Sequence, residues 1–158
     1  MRKLLPRVLL PATLLAAILT GCAPTVSLQP ADDAINPICA EVAVRLPDTV
    51  AGLPARETNA QATGAWGEPA SVILRCGVPV PPPTAEFPCL PEPIGGVDWL
   101  RDDSDDPNFV FTTYGRDPAV QVIINSDEVS GLEALTDLAD AVAIIPAEAA
   151  CIGIGDVE

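Results

Sequence analysis

The chain has 158 residues, with 22 acidic against 8 basic side chains, a net charge of −14, five cysteines and no histidine. An acid excess of this size repels phosphates and excludes nucleic acid as a partner. The lack of histidine excludes a Ser-His-Asp triad, a Cys-His pair and histidine-ligated zinc.

The chain opens with a leader. Arg2, Lys3 and Arg7 precede an uncharged apolar run over residues 8–21. That run suits a secretory signal and falls short of the ~20 residues a membrane span needs. It ends Leu19-Thr20-Gly21-Cys22, which resembles a bacterial lipobox, where small residues precede a cysteine that takes a diacylglyceryl group before cleavage. Residues 1–21 are read as a lipoprotein signal peptide and Cys22 as the lipidation site. Removing them leaves 137 residues with five arginines, no lysine and all 22 acids, a net charge of −17. Without lysine a Ser-Lys dyad is excluded as well. Two or more acyl chains give firm attachment, so the expected location is the outer face of the cell membrane.

Residues 22–35 are polar, proline-bearing and without period, and read as a flexible tether. Residues 36–158 read as one globular domain. Asn36 can cap a helix and Pro37 suits its first position, with Ile38, Val42 and Leu46 on one face and Pro47 as the stop. Residues 48–68 look like loop. The stretch ASVILRCG alternates Val72, Leu74 and Cys76 with Ile73 and Arg75, the pattern of a strand. Seven prolines between Pro79 and Pro93 keep the next segment out of a central sheet and favour an extended surface path.

Three further strands are expected in VDWLR, NFVFTTYG and AVQVIIN, the last two joined as a hairpin through Gly115-Arg116-Asp117-Pro118. Ser130 and Glu133 form a capping box ahead of a helix whose apolar stripe is Leu132, Leu135, Ala139 and Val142, with Asp137 and Asp140 turned outward. The order gives an α+β domain: a mostly antiparallel sheet of about four strands, two helices packed on one face, stapled by disulfides.

Setting Cys22 aside leaves four cysteines, and an exported chain would keep them oxidised. Four cysteines allow three pairings. Of these, Cys76–Cys89 with Cys39–Cys151 is the expected set, the first pinning the proline-rich segment and the second stapling the first helix to the tail. No C-x-x-C motif supports a redox or metal-thiolate site.

The densest charge run is Asp102-Asp103-Ser104-Asp105-Asp106. Its oxygens suit calcium in type, yet Pro107 stands where an EF-hand loop needs glycine and Thr113 where it needs glutamate. Asp102, Asp103, Asp105 and Asp106 are thus a weak metal candidate, and a solvated acidic turn is the expected structure. Paired carboxylates for glycoside hydrolysis carry little signal among 22 acids. Arg75, Arg116, Trp66 and Trp99 are candidate ligand or partner contacts, with ion pairing and core packing as their ordinary roles. No catalytic residue and no cofactor is indicated.

Four motifs occur in order: AWG at 65–67, RCGVP at 75–79, GVDW at 96–99 and TTYGRDPAV at 112–120. Together they resemble the family called domain of unknown function 3515, over roughly residues 36–145. The resemblance implies an envelope protein of high-GC Gram-positive bacteria, membrane-tethered by a lipobox or a single amino-terminal segment. It implies no reaction, cofactor or catalytic residue. The expected function is a non-enzymatic binding module of the cell envelope, whose partners are the membrane and another envelope protein or wall component. The rivals are a carboxylate-dependent hydrolase of wall polymers and a calcium-stabilised adhesion-type module.

Overall fold

The computed structural model describes residues 24–83, 87–90 and 93–151, so the expected leader and the expected lipidation site at Cys22 lie outside the described residues. The element order is α1 (Pro37–Ala43), β1 (Thr49–Val50), β2 (Leu53–Arg56), β3 (Thr63–Trp66), β4 (Val72–Val78), β5 (Trp99–Asp105), β6 (Asn108–Thr113), β7 (Ala119–Asn125) and α2 (Gly131–Val142). The strands form one antiparallel sheet in the order β1-β2-β3-β4-β7-β6-β5.

The sheet is built around β4 and β7, whose strict alternation sends Val72, Leu74, Cys76, Val120, Val122 and Ile124 to one face. That face carries both helices. Leu135, Leu138 and Val142 of α2 share a single core with Leu74, Val122 and Ile124, and α1 enters it through Cys39 and Val42. The opposite face is crossed by the proline-rich segment. Pro79, Pro81 and Phe87 close a cavity of about 210 Å³ over Leu100, Val110 and Thr112.

The expected strands all form, but the sheet has seven strands rather than about four. The other three lie in residues 48–68, expected as loop. β1 has two residues, β2 carries Pro54 and β3 carries Gly64, so none shows the run of β-branched side chains that marks a strand. Gly64 has a packing reason. A Cβ there would fall 2.5 Å from the Trp66 ring and 2.8 Å from Leu46. The space holds the buried indole, whose Nε1 donates to Pro47 O at 3.0 Å.

The tether expected at 22–35 is corrected from residue 24 onward. Val26 N–H donates to Glu57 O at 2.8 Å, Leu28 N–H to Asn59 Oδ1 at 2.8 Å and Asp33 N–H to Gly77 O at 3.0 Å. Ala31 and Ala34 are buried. This strap lies so close on β4 that a Cβ at Gly77, whose φ is +94°, would strike the backbone of Asp33 and Ala34. The strap's backbone groups find partners in the sheet, and that holds it down despite its polar composition.

The disulfide pairing differs too. The bonds are Cys39–Cys76, with Cα atoms 5.5 Å apart, and Cys89–Cys151, at 6.1 Å. β4 directs Cys76 to the helical face, where α1 presents Cys39. Cys89 pairs instead along the outer edge of β5, bridging Leu100, and there meets the tail.

In α2 the buried side chains are Ala134, Leu135, Leu138, Ala139, Ala141 and Val142, while Leu132 is 66% exposed. Leu132 lies roughly 100° around the helix from the centre of the buried arc, so the buried stripe is narrower than expected by that residue. Ser130 caps the helix, accepting from Glu133 N–H at 3.4 Å. Asp137, expected to face solvent, accepts Ala51 N–H at 2.8 Å. The acidic run is not a turn: Asp102 to Asp105 belong to β5, and the chain reverses at Asp106-Pro107.

Candidate binding groove

Arg101, Phe109 and Phe111 project from β5 and β6 toward the helices, the alternation that puts Trp99 and Thr113 on the same face. Opposite them stand Leu132, Leu135 and Thr136 of α2. Leu90 and Ile94 close the outer side. Between these three walls runs an open groove of about 660 Å³, the size of a small-ligand or peptide side-chain pocket. Gly131 keeps its floor open, since a Cβ there would come within 3.3 Å of the Phe111 ring.

The groove is apolar inside and charged at its margin. The Arg101 guanidinium lies 4.6 Å above the Phe109 ring centroid and pairs with Asp103 at 2.9 Å. Asp105 and Asp106 follow at the β5–β6 reversal, and the β7 end is joined there by Ser126 N–H donating to Pro107 O at 2.8 Å. Asp127 and Glu128 therefore stand at the same corner, with Glu133 exposed beside Leu132. Acidic side chains thus gather at one corner of an apolar trough.

The expected site residues do not gather there. Trp66 and Trp99 are fully buried in the core. Arg116 is 5% exposed and donates to the carbonyls of Ala143 and Ile145 and, at 2.8 Å, to Gly96 O. It closes the C-terminal end of α2, where a cation suits the helix dipole. Burial pulls its pKa below the usual arginine range, and Asp98 opposes that shift. Arg75 stands on the face opposite the helices, in a cross-strand row with Thr63 and Gln121.

The pleat of β5 separates the acid run. Asp103 turns toward Arg101, whereas Asp102 points to the opposite face. Hydrogen bonds from Ser104, side chain first and then backbone, hold the Asp102 carboxyl below its usual range. A general acid needs the reverse shift. Among the described residues no group of three or more acids, cysteines or histidines is placed to hold a metal, and no helix is long and apolar enough to cross a membrane.

Sequence reading missed the groove's own residues, Arg101, Phe109, Phe111 and Leu132. The available signal was the pair of aromatics two apart in β6, which share one face, with an arginine on a neighbouring strand. A family model described as "Protein of unknown function (DUF3515)" matches residues 4–150. Searches of curated proteins and of solved structures returned no match.

Proposed function

This chain belongs to the DUF3515 family of proteins of unknown function, and on that footing we propose that it is an exported lipoprotein, held through Cys22 on the outer face of the cell membrane and acting as a non-enzymatic binding module. The leader and the Leu19-Thr20-Gly21-Cys22 motif support the anchor. Two disulfides closed within the domain, with Cys22 as the fifth cysteine, support an oxidising compartment. The observation that carries the binding role is the apolar groove with its acidic rim. Its partner is a segment of another envelope component, apolar over about two helical turns and flanked by lysine or arginine.

Metabolic labelling with a fatty-acid analogue should mark the wild type and leave Cys22→Ala unmarked; equal labelling refutes the anchor. For the groove, the probe is an apolar peptide with lysine flanks, compared with the same peptide flanked by glutamate. The lysine form should bind at least tenfold tighter, weaken as salt is raised, and lose binding to Leu132→Asp. Equal affinity for both peptides, or binding indifferent to Leu132→Asp, refutes the proposed partner.

A further inference from the structure

The strap leaves little slack between anchor and domain. Pro24 O accepts Arg56 Nη2 at 2.6 Å, and Val26 is paired with the Glu57–Asn59 segment. Cys22 precedes Pro24 by two residues, which span about 7 Å even when fully extended. A lipid on Cys22 would thus hold the domain surface at Pro24 at the level of the headgroups.

That surface has an unusual charge pattern. The mature chain carries 22 acids, yet residues 24–31 and 58–67 contain no ionisable side chain, and the exposed Glu57, Asp32 and Asp33 stand only at the margins of these segments. Pro24, Thr25, Ser27, Gln29, Asn59 and Gln61 are exposed in these two segments, which lie side by side. A neutral face meets anionic headgroups without the repulsion that the rest of the molecule would suffer.

The densest acids lie diagonally opposite. Thr58 is beyond the end of β2, at one corner of the sheet, while Asp105, Asp106, Asp127 and Glu128 are at the far end of β5, β6 and β7. From β2 to β6 there are four strand spacings, about 19 Å. Repulsion of that acidic corner by an anionic surface turns the domain the same way as the short leash does.

We infer that the neutral face formed by residues 24–31 and 58–64 rests on the bilayer, so that the domain has a fixed orientation and the groove stands at the corner farthest from the membrane. This rests on the lipid-anchor reading. The occupant of the face is the headgroup layer of an anionic bilayer.

The mature chain has no lysine, so Gln61→Lys and Glu133→Lys each supply one side-chain amine for a dye. The lysine-free parent gives the background from the amino terminus. The lipidated chains are placed in phosphatidylglycerol–phosphatidylcholine vesicles containing a nitroxide-headgroup lipid, which quenches only at near-contact range. Quenching at position 61 should exceed that at 133 severalfold. A flexible Gly/Ser insert of roughly twelve residues between Ala23 and Pro24 should remove the difference. Equal quenching at the two positions without the insert, in a chain whose flotation with vesicles requires Cys22, overturns the orientation and leaves the anchor intact. If Cys22→Ala floats as the wild type does, the anchor reading fails and the orientation fails with it.

Discussion

Arg116 shows how a scarce cation in an acidic chain is used. It is one of seven arginines in the chain, and it is spent on backbone carbonyls, two of them at the end of α2, rather than on a ligand. Arg116→Met would leave the carbonyls of Ala143, Ile145 and Gly96 without their donor, and the expected loss is roughly 2–4 kcal/mol of unfolding free energy in a urea titration. Arg116→Lys should recover less than half, because one ammonium group does not span three acceptors as a planar fork does. The motif TTYGRDPAV was legible in the sequence as a tight turn. The arginine's role was not, because its acceptors lie up to 29 residues away on a helix end. Core packing, the ordinary role expected for Trp66 and Trp99 from their size, is the one they take.

At the level of elements, long periodic stretches announced themselves and short ones did not. β4, β6, β7 and α2 each carry several turns of pattern, enough for burial to show as a period. β1 and β2 exist because a two-residue turn, Ala51-Gly52, takes φ values of +48° and +72° and folds one against the other. An alanine in that conformation is costly, and the Asp137 carboxylate on α2 helps to hold it by accepting its N–H. Ala51→Asn should therefore stabilise the domain by about 0.5–1 kcal/mol, read as a shift of the urea midpoint at unchanged slope. A lower midpoint would show that the methyl group of Ala51 packs better than the turn strains. The two sheet edges are guarded differently. β1 is only two residues long, and β5 carries Asp102, Asp103 and Asp105, so neither invites a second chain to add a strand. The groove was hard to read in the sequence for a related reason: it is assembled from β5, β6, α2 and the β4–β5 crossover, and only the Phe109–Phe111 pair of β6 carries part of its pattern.

For the whole molecule, cross-linking matters as much as packing. The disulfides close loops of 37 and 62 residues, and in the chain-entropy picture each is worth about 4 kcal/mol. That is a large part of the 5–15 kcal/mol typical of a domain. The double variant Cys39→Ala, Cys76→Ala should lose about that amount of stability, seen as a fall in melting temperature; an unchanged melting temperature would mean that α1 is held to β4 by packing alone. The pairing also differs from the expected one in kind. Expected were two bonds with one loop nested inside the other, whereas the two loops follow one another along the chain without overlap. In the proposed exported form, with Cys22 taken up by lipid, the remaining thiols would emerge in the order Cys39, Cys76, Cys89, Cys151. Each thiol's correct mate is simply the next to arrive or the one just before it, so an oxidase acting on cysteines as they surface makes both native bonds, with no isomerase needed to undo a mistaken one.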